Sequence, residues 1–407
     1  MMLAQSGNGR KRLFAGSHRT RLPVETLGQL LPMKHRFGIT RLANVTGLDR
    51  IGLPVVLATR PNSRSVAVSQ GKGTSIEAAK ASALMEAIEL WHAENFLHPM
   101  IYASYSEIEQ GGRAIDVSRL PRIKNSRYSE YLRMHWVEGF DLRSGAPILV
   151  PHEMVHADYS HPFPPGHGSF PASTNGLASG NHPLEAICHA IWEVVERDAI
   201  TLWHQLPVCR RTATMIDPAT IDCPISADIL LSIQRAGLDA ALWDATSDVG
   251  IATLYCLMTD KADPQGHIGV GSGAHADRRV ALARALTEAV QTRMNYITGS
   301  RDDLRLEEFM ARGRAQKAQE AKALLRNAAP LRDFTAMQNH IVETFREDLD
   351  WLIQRLGAIG VDQLACVDLS SGIPDLSVFR VVIPGLEAPH DDDTFVRGPR
   401  AAAAASR

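Results

Sequence analysis

No stretch of the 407-residue sequence approaches eighteen consecutive apolar residues, so no segment reads as a transmembrane helix. Cysteine is sparse. Its five examples, Cys188, Cys209, Cys223, Cys256 and Cys366, are scattered, odd in number and form no CxxC, which fits reduced core thiols in a cytoplasmic protein and excludes a disulfide framework. Charge of one sign is missing too. With 43 basic and 45 acidic residues the net charge is −2, so nothing polyelectrolyte argues for nucleic acid. The first 21 residues hold Arg10, Lys11, Arg12, Arg19 and Arg21 but lack the apolar stretch of a secretory signal. A Walker A loop is absent, and no cysteine or serine stands out as a covalent nucleophile.

What remains is a chain that is 45% hydrophobic, enough for a large core. Residues 1–17 and 396–407 read as disordered tails, the first basic and the second alanine-rich, around one domain over 18–395. No internal repeat is evident. SRSVAVSQGKG reads as a strand entering a glycine turn, and WVEGFDLRSGAPILVP as a hairpin turning at Arg143–Gly145. LDAALWDATSDVGIATLYCLMTD gives two strands, and VDQLACVDL and SVFRVVIPG two more. Helices are expected over 183–204, 277–297, 304–327 and 337–357. Strands and helices mix irregularly, so the class is α+β with mixed or antiparallel sheets.

One helical stretch, SALMEAIE at 82–89, places Ser82, Glu86 and Glu89 within an arc of about 60° at helical spacing. The pattern returns twice. Glu185, Glu193 and Glu196 share an arc of about 80°, and Glu288 and Gln291 share a face with Arg293 further round. Six converging glutamates would cost several kcal/mol per unpaired charge, and Lys72, Arg197 and Arg293 offer little offset. Divalent cations are the simpler answer. All-oxygen ligands select Mg²⁺ over zinc, and carboxylate-bound Mg²⁺ usually keeps positions for phosphates, so the pattern suggests Mg²⁺ with a nucleotide.

GKGTSIEAAKASALMEAIE, STNGLASGNHPLEAICHAIWEVVERDA and ALARALTEAVQTR resemble, in order, the three signature blocks of the YcaO superfamily. GITRLANVTGLDRIGLPV, GSRDD and VVIPGLE resemble the subgroup that works with a TfuA partner. The resemblance implies an α+β YcaO fold whose acidic helices enclose Mg²⁺–ATP, and an enzyme that phosphorylates a peptide backbone amide oxygen. It places Glu86, Glu89, Glu185, Glu193 and Glu196 on magnesium. It places Ser82, Asn181, Arg197, Glu288, Gln291 and Arg293 on the nucleotide, and through HRTRLPVETL also Arg19 and Thr26. It names no catalytic acid, base or nucleophile. Leu90 stands where the family usually has arginine.

The leading expectation is thioamide formation on a peptide or protein substrate with a TfuA-like partner, in a cytoplasmic, homodimeric protein. An azoline-forming cyclodehydratase is the alternative. Such enzymes commonly end in a PxPxP tail, whereas this sequence ends PRAAAAASR. A non-catalytic accessory role in ribosomal-protein methylthiolation is a third reading. Two motifs point elsewhere. His152-Glu153-Met154-Val155-His156 matches HExxH, but Pro151 and an apolar strand precede it, leaving little of the helix that a zincin needs. GVGSGA at 269–274 fits a lax dinucleotide fingerprint without a βαβ unit around it.

Overall fold

The computed structural model describes residues 7–14, 16–95, 97–263, 266–326, 331–391 and 393–406. The helices used below are α1 (Ile76–Glu94), α2 (Pro183–Gln205), α3 (Pro224–Arg235), α4 (Arg278–Thr298), α5 (Phe345–Ala358) and α6 (Pro399–Ala405). The chain divides into two compact units built from interleaved segments, a division that a single domain over 18–395 does not anticipate. One unit takes Ile88–Gln205, Val342–Arg407 and the start of the chain up to Lys11, and the other takes Arg12–Ala87 and Leu206–Ile341. Helix α1 belongs to both, since the division falls between Ala87 and Ile88.

The unit containing Arg12–Ala87 is built twice over. Strands Arg41–Asn44, Val55–Thr59 and Val68–Lys72 form an antiparallel meander that runs into α1. Strands Leu238–Asp244, Thr253–Asp260 and Gly269–Ala274 form another, which runs into α4. Both meanders share one core in which Val55, Leu57, Ile229, Leu254, Leu282, Leu286 and Phe334 are buried. Asp277 caps α4 by accepting the Arg279 N–H at 3.0 Å, and Gly299 ends it in the left-handed region at φ 57°.

Close strand–helix approach explains the glycines. A Cβ on Gly71 would sit 2.1 Å from both the Ala79 carbonyl oxygen and the Ala83 nitrogen of α1. A Cβ on Gly273 would meet the equivalent Ala281 oxygen at 2.2 Å and Ala285 nitrogen at 2.9 Å of α4. The same contact recurs in the other unit, where a Cβ on Gly180 would lie 2.8 Å from the Ala186 nitrogen, as one on Gly73 lies 2.9 Å from that of Ala79. Three strand–glycine–helix units thus present Glu86/Glu89, Glu193/Glu196 and Glu288/Gln291 at matching places. This repeat escapes a sequence reading because only a glycine, a few alanines and the first glutamate of each pair are shared. It also disposes of GVGSGA as a dinucleotide loop. Its glycines admit the α4 backbone.

In the unit containing Ile88–Gln205, an antiparallel sheet runs in the order Met100–Ala103, Met134–Asp141, Ala365–Asp368, Ser377–Val382, Leu177–Gly180, with Pro147–Pro151 paired to Met134–Asp141. The hairpin expected around Arg143–Gly145 is present. Helix α2 lies against Ser377–Val382 and Leu177–Gly180, with α5 and α6 on it.

Some expectations need correction. The alanine-rich end is helix α6, with Ala401 and Ala404 buried and Arg400 donating to the fully buried Asp198 at 2.9 and 3.0 Å. Alanine has the highest helix propensity, and Pro399 is preset for a first turn. The basic start is also ordered where described: Arg12–Phe14 pairs with Ser17–Arg19, and Lys11 holds Asp348 at 2.8 Å in a buried ion pair. Residues 1–6, also expected to be disordered, lie outside the described residues. The helix expected over 337–357 begins only at Phe345, where Thr344 and Glu347 form a capping box, and the one expected over 304–327 is broken into Leu306–Phe309 and Ala311–Leu325. No helix among the described residues is long and apolar enough to cross a membrane.

Candidate functional site

Glu86 and Glu288 occupy equivalent positions on α1 and α4, and each turns back to its own strand. Glu86 Oε1 lies 3.5 Å from the Gln70 N–H, and Glu288 Oε1 lies 3.3 Å from the Ser272 N–H, each across sixteen residues. Lys72 at the end of one strand forms an ion pair with Glu288, and Gln291 donates its amide to the Gln70 carbonyl oxygen. Burial raises the Glu86 carboxyl above its ordinary value of 4.5, outweighing Arg301, the Gln70 N–H and Lys72, while Glu288 adds to the rise. A carboxylate held at this cost is a ready cation ligand. Ser82, half-buried, lies one turn before Glu86 on α1.

Arg293 is placed differently from its neighbours. Its guanidinium reaches Asp49 at 3.2 Å and Asp260 at 3.3 Å, and Arg50 holds Asp260 at 2.7 Å. The guanidinium whose field does reach Glu86 is Arg301, which the sequence reading passed over within GSRDD. Thr26 is 2% exposed, its hydroxyl donating to the Leu22 carbonyl oxygen at 3.4 Å, and Arg19 closes strand Ser17–Arg19 half-buried.

In the unit containing Ile88–Gln205, Glu89 continues α1 one turn beyond Glu86, half-buried. On α2, Glu185 and Glu196 are 1% and 2% exposed, and Glu193 and Arg197 are half-buried. Asn181 follows strand Leu177–Gly180 immediately. Asp198, an ordinary partner to expect for Arg197, is instead held by Arg400. Leu90 is 4% exposed, so its departure from the usual arginine buries an apolar side chain in the core.

Arg380 on strand Ser377–Val382 is a second residue that sequence reasoning missed. It is 1% exposed and donates through Nη2 to the Ser173 carbonyl oxygen at 2.7 Å. Its Nε and Nη1 are buried with no hydrogen-bond partner among the described residues. Burial lowers its pKa, against which Tyr159, Glu193 and Glu89 pull upward. A buried guanidinium with open N–H groups beside carboxylates fits a site for anionic oxygens flanked by cations. An arginine in a strand of FRVV carries no motif, so only its unmet donors reveal it.

A model of the family described as YcaO cyclodehydratase, ATP- and Mg²⁺-binding, matches residues 70–387. The chain belongs to the YcaO family. The match contains the glycines and helices of all three units and every carboxylate expected on metal, whereas Arg19 and Thr26 precede it. Among relatives, a Rhizobium leguminosarum bv. trifolii protein encoded in the tfuA 3′ region is 34% identical over 93% of this chain and 91% of its own. A Methanothermobacter thermautotrophicus protein is 34% identical over 90% of this chain and 94% of its own. Among solved structures, YcaO from Methanopyrus kandleri bound with AMPPCP and Mg²⁺ superposes with a TM-score of 0.76 at 22% identity, covering 96% of this chain and 98% of that one. A heterocyclase in complex with substrate and cofactor gives 0.77 at 20% identity, covering 94% of this chain, which spans 54% of the heterocyclase. These structures share the YcaO α+β fold expected from the sequence.

Proposed function

We propose that this YcaO protein uses Mg²⁺–ATP to phosphorylate a peptide backbone amide oxygen, so that a sulfur nucleophile replaces it and leaves a thioamide, ADP and phosphate. The observation that carries the reading is that equivalent strand–glycine–helix units present acidic couples twice, Glu86/Glu89 and Glu193/Glu196, and a Glu288/Gln291 pair once. Glu86, Glu89, Glu185, Glu193 and Glu196 would hold magnesium, an oxygen-only donor set that suits a hard cation. Ser82, Asn181, Arg197, Glu288, Gln291 and Arg293 would line the nucleotide, with Arg19 and Thr26 beside them. When bound, Mg²⁺–ATP supplies the phosphoryl group and spreads the charge that develops on it. The chain's own part is to place the amide oxygen in line and exclude water. Lys72 pairs with Glu288, and Arg380 offers unmet donors to anionic oxygen.

The sulfur outcome rests on the relative encoded in the tfuA 3′ region, which also supports a TfuA-like protein as partner. Azoline formation is the second reading, favoured by the family description as a cyclodehydratase. Purified protein, a TfuA-like partner, peptide, ATP and sulfide should yield a product in which one oxygen is exchanged for sulfur. Loss of one water from the peptide instead would transfer the assignment to cyclodehydration. Mg²⁺–ATP should raise the melting temperature of the wild type, whereas Glu89→Ala and Glu196→Ala should lose that shift. Unchanged affinity in both would leave an accessory role.

A further inference from the structure

The segment that resembles a zincin motif has chemistry of another kind. His152–Met154 is a 3₁₀ turn, so its two histidines are not displayed by an α-helix, yet their rings stack with centroids 4.3 Å apart and planes 5° from parallel. A third imidazole arrives from the following loop, with His167 Nε2 3.3 Å from His152 Nδ1. Glu153 is what holds it there. Its buried carboxylate accepts the backbone N–H groups of Gly168 at 2.8 Å and Ser169 at 3.1 and 3.2 Å, stapling loop to turn. Gly166 and Gly168, at φ 87° and 103°, let the loop double back, and a Cβ on Gly166 would strike the Arg133 carbonyl oxygen at 2.3 Å. The motif's glutamate is therefore a positioning group, committed to backbone rather than available as a base.

One ring nitrogen from each of His152, His156 and His167 lies within 4.8 Å of the others. Two ligands of a tetrahedral ion with metal–nitrogen bonds of about 2.05 Å stand about 3.3 Å apart, which is the His152–His167 separation. His156 is 3% exposed; its Nδ1 accepts the Asp158 N–H at 3.0 Å, and its Nε2 is buried with no partner among the described residues. Buried polar nitrogens are rarely left so. His167 is half-buried and gives an entry path.

We propose that His152, His156 and His167 form a second metal site, for a divalent transition ion of the Zn²⁺ class, chemically separate from the carboxylates assigned to Mg²⁺. Imidazole suits Zn²⁺ and its neighbours but not Mg²⁺ or Ca²⁺, and three protein nitrogens leave a position for an exchangeable fourth ligand. Ligation through His156 Nε2 moves the ring proton to Nδ1 and gives up the Asp158 N–H bond, a single contact in a half-buried turn.

The test uses untagged full-length protein dialysed in excess Mg²⁺ with Zn²⁺ or Co²⁺. Metal analysis should find one transition ion per chain, and the Co²⁺ form should show the intense visible bands of tetrahedral coordination. Glu153→Gln, which loosens the staple that holds the His167 loop, should weaken Zn²⁺ by about tenfold or more, and His156→Ala and His167→Ala should weaken it further. Circular dichroism and the Mg²⁺–ATP melting shift, unaltered in these variants, show that the fold and the carboxylate site survive. Wild-type protein without stoichiometric Zn²⁺, or His156→Ala and His167→Ala variants that keep it, would overturn the proposal.

Discussion

Arg380→Met separates a functional guanidinium from a structural one. A guanidinium carries five N–H donors. Here Nη2 reaches the Ser173 carbonyl oxygen, while the donors on Nε and Nη1 meet nothing among the described residues. Each buried nitrogen left unbonded costs about 1–3 kcal/mol, so the pair costs about 2–6 kcal/mol. Attraction to Glu89 and Glu193 opposes that cost, and for a separation taken as about 8 Å at an effective dielectric of about 20 it would return about 2 kcal/mol per charge. The terms nearly cancel. Methionine, of similar reach and without polar atoms, should therefore leave stability within about 2 kcal/mol of wild type, as replacements of buried charge often do. Catalysis should respond differently. Donors aimed at oxygens that gain charge in the transition state are typically worth about 10²–10³ in rate. The assay pairs thermal unfolding of the apo-protein with peptide-dependent ATP turnover, and Arg380→Lys serves as the variant that keeps the charge but loses the fork. A methionine variant that unfolds about 3–5 kcal/mol more easily while keeping its turnover would show Arg380 to be a strut and refute the reasoning.

Gly271→Ala would drive a methyl to within 2.3 Å of the Ala285 carbonyl oxygen of α4, and denaturant unfolding should show a loss of about 1–3 kcal/mol. Arg400→Ala strips Asp198 of two hydrogen bonds in a fully buried position, and the same measurement should register about 3–5 kcal/mol. Leu90→Arg, restoring the family's usual residue, buries a charge at a site 4% exposed, so soluble yield and melting temperature should both fall. At Asp277, burial raises the carboxyl pKa, but hydrogen bonds from the Arg279 side chain and N–H outweigh it and hold the pKa below 3.8. That contribution is complete above the unfolded value and disappears as pH falls through the folded one, so Asp277→Asn should flatten acid unfolding below about pH 4 while costing stability at neutral pH.

How much of this was legible in advance follows from where each signal lives. Carboxylates at helical spacing can be read from the chain because side-chain direction repeats every 3.6 residues, and the three acidic faces were found that way. The glycines that admit α1 and α4 were visible as letters but not as contacts, since close approach is a property of two segments at once. Arg301 lies in GSRDD with no role given to it there, Arg380 carries no motif, and only partners distant in sequence reveal what either does. Calling PRAAAAASR a frayed tail weighed composition over propensity and could not foresee that Asp198, fifteen residues into α2, holds Arg400. The HExxH stretch was correctly denied a helix, but His167 lies beyond a proline-rich loop whose path depends on Glu153.

The repeat also bears on how the acids divide their work. Two couples, Glu86/Glu89 and Glu193/Glu196, bear full carboxylate pairs, while the third replaces the second acid with Gln291 and neutralises the first with Lys72. Equivalent scaffolds with unequal charge are not interchangeable toward a divalent cation, whose binding falls steeply as anionic ligands are removed. The third unit is thus better suited to hydrogen-bond a neutral or weakly charged part of a nucleotide. Gln291→Glu tests the division. If charge alone distinguishes the units, the added carboxylate should strengthen Mg²⁺ binding without nucleotide and weaken ATP binding at saturating Mg²⁺. If instead both affinities fall together with the melting temperature, Gln291 serves the strand through its bond to Gln70 and the units differ by packing.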